Sequence, residues 1–237
     1  MHVTHQFFIR QVSRILCIET ATKVCSVAIG NHGECISSLT ETEGLRHSAM
    51  LTKMIEQVLA KAAVKISDLD AIALSDGPGS YTGLRVGASV AKGLCFGRSI
   101  PLLTISTLKA LAFQYRNSVH YILPTIDARR MEAYFAIYYQ GSLVQAPEAI
   151  IWDKESVEEL SASYPSLMIC GDGIDKASSL FKGYSNVKVQ ATTCDAQNLI
   201  LPSYEKFLSE DFSDVAYHKP FYYKSPNITV SKKKLLE

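Results

Sequence analysis

The sequence of 237 residues lacks an excess of charge of either sign and any long apolar run. Its 24 basic and 23 acidic side chains leave a formal net charge of +1, which excludes a broad electrostatic field for attracting nucleic acid. No apolar run reaches the roughly 18 to 20 residues of a membrane span, and the N-terminus lacks the apolar segment of a signal peptide. We therefore expect a cytoplasmic protein without a membrane contact, in which any RNA phosphate contacts come mainly from a partner.

Patterns for metal or redox chemistry are also missing. The six cysteines form no C-x-x-C pair, and the six histidines never stand four residues apart as in a helical zinc site. In a cytosolic protein, scattered cysteines are most simply buried, reduced and apolar. We expect no metal site made by this chain alone.

What is present is the composition of an ordinary globular α/β protein. Hydrophobic residues make up 47% of the chain and charged residues 20%, and the length suits one or two domains. Apolar periodicity predicts three strands followed by alternating helices and strands, in the order βββαβαβα, and the same opening recurs from residue 121 in a shorter form. The predicted divisions are an N-terminal extension (1–14), a first lobe (15–118), a reduced second lobe (119–224) and a basic tail (225–237).

The conspicuous local motif is a glycine-rich loop, residues 77–83, between an apolar strand and a helix. Gly77, Gly79 and Gly83 form a possible phosphate loop, because the first N–H groups of a helix have no partner within it. A dinucleotide fingerprint would need one residue fewer and an acidic residue after the next strand, and a P-loop would need Lys after its last glycine. A structural turn in which the glycines permit close packing remains an alternative.

A second candidate motif is the charged turn that follows the strand at 121–127. Asp127, Arg129 and Arg130 are its charged residues, and the sequence assigns them no role.

Several of these segments together resemble bacterial TsaB, also called YeaZ. The resemblance is carried by residues 18–22, 25–28, 46–48, 77–87 and 91–94, and by the later segments 127–130, 132–134 and 220–224. It extends from about residue 15 to residue 224.

The resemblance implies an actin-like ATPase (ASKHA) fold of two βββαβαβα-type lobes. It also implies a role in making threonylcarbamoyladenosine beside the anticodon of tRNA. In that pathway TsaC forms threonylcarbamoyl-adenylate, TsaD transfers the threonylcarbamoyl group, TsaE is an ATPase, and TsaB is the non-catalytic paralogue that pairs with TsaD. The implied partners are TsaD and TsaE, with tRNA bound only within the complex. The chain would have no cofactor of its own, and any ATP or ADP would lie at the interface with TsaD.

Two residues support a partner role. Where TsaD binds its metal through two histidines, the matching positions here are Thr107 and Leu111, which cannot ligate a catalytic metal as imidazole does. A nucleotide-binding enzyme such as a small-molecule kinase stays an alternative, with Glu19 and Asp127 as its best-placed carboxylates. A glycoprotease-type peptidase is a weaker alternative, because no serine or cysteine stands in a nucleophile motif.

The two helices of the first lobe are the predicted partner surface. Four glycines in the second helix each cost about 1 kcal/mol relative to alanine, which suggests close packing against the chain's own sheet or against helices of TsaD. We expect the same surface to form a homodimer when the partner is absent. The candidate contact residues are His47, Met50, Leu51, Met54, Val58, Leu84, Ala88 and Lys92.

Overall fold

The computed structural model describes residues 13–42 and 47–224, and the side chains of residues 47–49 are outside the description. The basic tail at 225–237 and most of the predicted N-terminal extension therefore lie outside the described residues. Ser13 is buried and Arg14 begins the first strand, so the first lobe starts slightly earlier than predicted. In the described part of the chain, no helix is long and apolar enough to cross a membrane.

The first half of the chain forms a five-stranded mixed sheet with the predicted order of elements. Its strands lie in the order β3-β2-β1-β4-β5; β1, β2 and β3 are antiparallel neighbours, and β4 and β5 continue parallel to β1. The elements are β1 (Arg14–Glu19), β2 (Cys25–Asn31), β3 (Glu34–Glu41), α1 (His47–Lys61), β4 (Ala71–Ser75), α2 (Tyr81–Arg98), β5 (Leu102–Ile105) and α3 (Thr107–Phe113).

The second half repeats this sheet in reduced form, as predicted. Its strand order is β10-β9-β6-β7-β8, with β6 in the central position that β1 holds in the first sheet. Two short 3-10 helices, Asp172–Ile174 and Ser178–Phe181, stand where the first half has α2. The remaining elements are β6 (Tyr121–Asp127), β7 (Glu132–Tyr139), β8 (Ser142–Ile151), α4 (Lys154–Ser163), β9 (Leu167–Cys170), β10 (Val187–Gln190) and α5 (Gln197–Leu208).

Both faces of the first sheet are covered, which explains why β1 and β4 are apolar runs without alternation. Leu16 and Ile18 of β1 face a core shared with α1 and α2. Ile15 and Cys17, on the opposite face, pack against α5. The first sheet is thus a layer between α1 and α2 on one side and α5 on the other.

The two lobes exchange helices. Helix α3 packs on the second sheet, where Leu108 and Leu111 join a core with Ile122 and Ile126. Helix α5 follows the last strand of the second sheet but packs on the first. The predicted boundary near residue 118 therefore separates the two sheets, whereas each sheet is completed by a helix from the other half.

Candidate functional site

The glycine loop between β4 and α2 is filled by this chain's own backbone. The Ser80 N–H donates to the Ala21 carbonyl at 2.6 Å. A Cβ added at Gly83 would lie 2.0 Å from the Thr20 carbonyl oxygen, and one at Gly79 would lie 2.4 Å from that of Ala21. The glycines therefore permit a close approach between the loop and the β1–β2 turn.

Three of the loop amides donate within the chain, that of Ser80 and those of two glycines. The Gly77 N–H donates to Thr107 Oγ1 at 3.1 Å, and the Gly83 N–H donates to Ser80 Oγ at 3.3 Å. Gly77 has φ +108°, and a Cβ there would lie 2.5 Å from the Phe221 carbonyl oxygen. The structure therefore favours the structural turn for Gly77, Gly79 and Gly83, and their role as a phosphate loop stays a prediction.

Thr107 and Leu111, which the resemblance matches to the metal-binding histidines of TsaD, are buried packing residues in this chain. Thr107 is buried and exchanges two hydrogen bonds with Gly77, since its own N–H donates to the Gly77 carbonyl at 2.9 Å. Leu111 is buried in the second core. Within the described ranges, no group of three or more His, Cys, Asp or Glu side chains is placed to hold a metal ion.

Glu19 ends β1 at the base of this loop and is almost completely buried. Its Oε1 accepts from Ser75 Oγ and from the Ala21 N–H, both at 2.7 Å. Its Oε2 is buried without a hydrogen-bond partner among the described residues. Burial raises the pKa of the Glu19 carboxyl to about 7, although the Ser75 and Ala21 donors oppose this shift.

The charged turn between β6 and β7 is held tightly. Asp127 Oδ1 accepts from the Arg129 N–H at 2.8 Å and from Lys176 Nζ at 2.6 Å, and Lys176 also donates to the Arg130 carbonyl. Arg129 and Arg130 both adopt left-handed backbone angles, with φ of +73° and +53°. Two consecutive non-glycine residues in this region are strained, and such strain concentrates at functional sites. The sequence pattern gave no indication of this backbone geometry.

Most of the predicted partner-contacting side chains belong to this chain's own core. Leu51, Met54, Val58, Leu84 and Ala88 are buried, and all but Leu84 are members of the core between the sheet and the two helices. These five side chains are therefore not available for direct contact with a partner, contrary to the prediction. Met50 is half-buried against the same core, and the side chain of His47 lies outside the described residues.

The opposite face of α2 is exposed and unusually smooth. Ser89, Gly93 and Gly97 recur at four-residue spacing on this face. A Cβ added at Gly93 or Gly97 would meet no atom of residues 13–42 or 47–224 within 4 Å. Phe96, on the same face, is 85% exposed. Since α1 packs beside α2, the exposed surface of the two helices is continuous.

Lys92 binds a segment near the C-terminus, a contact that the sequence did not predict. Its Nζ donates to the carbonyls of Ala216 and His218 at 2.9 and 3.2 Å. These carbonyls belong to residues 213–224, here called the C-terminal strap. Ser213 pairs with Leu102 at the edge of the first sheet. Lys92 therefore anchors the strap, which corrects its assignment as a partner contact.

The strap continues across the glycine loop. The Phe221 N–H donates to the Asp76 carbonyl at 2.8 Å. His218 Nε2 lies 3.2 Å from Asp76 Oδ1. Beyond this point, Tyr223 contacts the Tyr134 ring of β7, so the strap connects the two lobes.

The Lys92→Met variant should loosen the strap without unfolding the lobes. Removal of a charged donor to two carbonyls costs about 1.5 to 3 kcal/mol per bond, so we expect the Phe221 amide to exchange hydrogen at least about tenfold faster. Hydrogen exchange measured by mass spectrometry over residues 213–224 tests this. Lys53→Met on the exposed face of α1 is the matched control, and equal exchange in both variants would contradict the anchoring role.

Comparison with known proteins gives a consistent set of matches. The model of a family described as TsaD, tRNA N6-adenosine threonylcarbamoyltransferase, matches residues 41–197. The tRNA threonylcarbamoyladenosine biosynthesis protein TsaB of Escherichia coli K12 is 36% identical over 147 residues, which cover 61% of each chain. TsaB of Bacillus subtilis is 31% identical over 132 residues, 55% of this chain and 58% of that protein. The chain thus spans about three fifths of the length of these curated relatives.

Solved structures match over a larger share of the chain. YeaZ from Pseudomonas aeruginosa superposes with a TM-score of 0.73 at 27% identity, covering 89% of this chain and 99% of that one. A 2-hydroxyisocaproyl-CoA dehydratase activator from Clostridium difficile, solved with bound ADPNP, has a TM-score of 0.51 at 9% identity over 84% of this chain and 97% of that one. This second likeness concerns the fold alone, and it agrees with the actin-like architecture expected from the sequence.

Proposed function

We propose, since this chain belongs to the TsaB (YeaZ) branch of the TsaD family, that it is the non-catalytic partner of TsaD in tRNA threonylcarbamoyladenosine biosynthesis. It would support the transfer of the threonylcarbamoyl group to the adenosine next to the anticodon. TsaE and the tRNA would join through the complex with TsaD. The setting for this chemistry is the cytoplasm.

The observation that carries the proposal is the exposed face of α2. Gly93 and Gly97 each weaken the helix by about 1 kcal/mol relative to alanine, and no contact with the described residues requires either of them. A glycine face lets the backbone of another helix approach closely, and the adjacent exposed Phe96 is the kind of aromatic anchor that dominates interfaces. Both features are explained if a helix pair of TsaD, or of a second copy of this chain, packs there.

The closed glycine loop supports a partner role over independent nucleotide chemistry. The N–H groups of Gly77 and Gly83 donate within the chain, and a Cβ added at any of its three glycines would meet the backbone of Thr20, Ala21 or Phe221. Nucleotide would therefore enter only where TsaD contributes to the site. In this proposal the chain has no cofactor of its own.

Two substitutions on α2 test the interface. Gly93→Leu should strengthen the isolated helix, because leucine is a much better helix former than glycine, and yet weaken TsaD binding by filling the smooth face. Phe96→Glu should weaken TsaD binding about 30-fold, as expected for a buried aromatic anchor. The measurement is sedimentation of labelled chain titrated with the same organism's TsaD, together with the unfolding midpoint of each variant.

The matched control is Leu208→Glu, because Leu208 is an exposed apolar residue of α5, which packs on the other face of the first sheet. It should leave TsaD binding unchanged. If Phe96→Glu and Leu208→Glu bind TsaD equally well, α2 is not the interface. Tight ATP binding by the chain alone in calorimetry, with no association to TsaD, would instead favour the small-molecule kinase alternative.

A further inference from the structure

The C-terminal strap carries aromatic rings that contact rings of both lobes. The Tyr222 ring lies 4.8 Å from that of Tyr81 at the start of α2. Phe221 and Tyr223 contact each other at 6.2 Å, and Tyr223 lies 5.3 Å from Tyr134 of the second lobe. These five residues, Tyr81, Tyr134, Phe221, Tyr222 and Tyr223, are called the aromatic row.

The row is not a core. Tyr81, Phe221, Tyr222 and Tyr223 keep 36 to 47% of their surface exposed. Rings that pack at a tilt and stay half-open offer flat apolar faces to the solvent. The row therefore has a surface available to a flat partner.

Arginines flank the row at both ends. The Arg85 guanidinium lies 5.3 Å from the centre of the Tyr81 ring and donates to the Tyr81 hydroxyl at 3.2 Å. At the other end, Arg129 and Arg130 occupy the exposed, strained turn next to β7. Glu132, two residues after Arg130, binds Lys224 at the end of the strap, so the turn lies beside the row.

Two carboxylates in this region are in ion pairs, whereas the arginines are not. Asp127 binds Lys176, and Glu132 binds Lys224. Among the described residues, Arg85, Arg129 and Arg130 have no ion pair with a carboxylate. The surface thus combines open aromatic faces with positive charge that lacks an anionic partner.

We propose that the aromatic row and its flanking arginines bind single-stranded RNA, with bases stacked on the rings and phosphates held by Arg85, Arg129 and Arg130. Proteins bind unpaired RNA with this combination, because every base has a flat face and every linkage has a negative charge. The inference deepens the proposed function, since the RNA would then contact this chain as well as TsaD. With this inference, the strained Arg129–Arg130 turn would bind phosphate. The strap would join residues of both lobes into one RNA-binding surface.

The test is binding of a fluorescently labelled single-stranded ten-residue oligoadenylate, and of a duplex RNA of equal length, to the full chain without TsaD. We expect preference for the single strand. Tyr222→Ala and Tyr223→Ala should each weaken binding about tenfold, whereas Tyr223→Phe should bind like the wild type because it retains the ring. Arg85→Gln should weaken binding and reduce the slope of log affinity against log salt by about one.

Tyr217→Ala is the matched control, because Tyr217 is in the same strap and 83% exposed but has no ring contact in the described chain. Equal binding by wild type, Tyr222→Ala and Tyr223→Ala, or no binding of either RNA by the wild type, would overturn the inference. Loss of TsaD binding in the same variants, with RNA binding unchanged, would assign the row to a protein interface instead. Failure of Phe96→Glu to affect TsaD binding concerns the proposed function separately, because Phe96 lies outside the row.

Discussion

Replacement of Gly83 with alanine is expected to lower the free energy of unfolding by about 3 kcal/mol or more. The new Cβ would lie 2.0 Å from the Thr20 carbonyl oxygen, a distance at which backbone must move. Because Thr20 Oγ1 donates to the Gly83 carbonyl at 2.9 Å, the same movement would break the contact that fixes the β1–β2 turn to α2. Forced overpacking of this kind typically costs 1 to 3 kcal/mol, and a backbone neighbour puts this position at the upper end. Chemical denaturation of the purified variant measures the change.

The matched control is Gly93→Ala in the same helix. Since an added Cβ meets nothing there, alanine should raise the free energy of unfolding of the isolated chain by about 0.5 to 1 kcal/mol. Opposite signs for the two substitutions would show that Gly83 serves the fold and that Gly93 does not. Equal changes in stability would contradict the distinction.

The contrast between these glycines shows where the sequence was informative. Spacing and helix propensity correctly indicated that four glycines in one helix need an explanation. They could not separate Gly83 and Gly87, which press against Thr20, from Gly93 and Gly97, which face open space. That separation depends on which side of α2 lies against the β1–β2 turn, and the turn is distant in sequence.

The residues of α1 that were predicted to contact a partner belong to the core for a related reason. The apolar stripe of α1, with Leu51, Met54 and Val58, predicted the helix correctly, but such a stripe is the face that a helix buries in its own core. The face that stays exposed is the one with small and mixed residues, which periodicity treats as solvent-exposed. Only the burial of each side chain in the folded chain distinguishes the two.

The order of elements from β1 to β9 could be predicted because strand and helix periods are local signals. The exchange of α3 and α5 between sheets could not, since an apolar stripe does not encode which sheet will cover it. For the same reason Lys92 was assigned to a partner: its carbonyl acceptors are 124 and 126 residues away in the chain. Polar contacts between residues that are distant in the chain produce no periodic pattern in the sequence.

Glu19→Gln is expected to stabilise the protein at pH 8 by about 3 kcal/mol and to have little effect below pH 4.5. Burial raises the pKa of Glu19 from 4.5 to about 7, so between these values the folded chain binds a proton that the unfolded chain has released. Stability from this group is therefore complete below about pH 4.5, falls as pH rises, and is lost above about pH 7. A shift of this size corresponds to about 3 kcal/mol, since one pKa unit equals about 1.4 kcal/mol.

Glutamine removes the ionisation while keeping the shape of the side chain. Its amide oxygen can still accept from Ser75 and the Ala21 N–H, and its amide nitrogen would occupy the position of Oε2, which has no partner in the wild type. The measurement is the difference in unfolding free energy between wild type and variant at several pH values from 4.5 to 8.5. The exposed Glu56→Gln change on α1 is the control and should give no pH-dependent difference. A Glu19→Gln difference that stays flat over this range would mean that the buried carboxylate is ionised throughout, held by a counter-charge that its two hydrogen-bond donors do not supply.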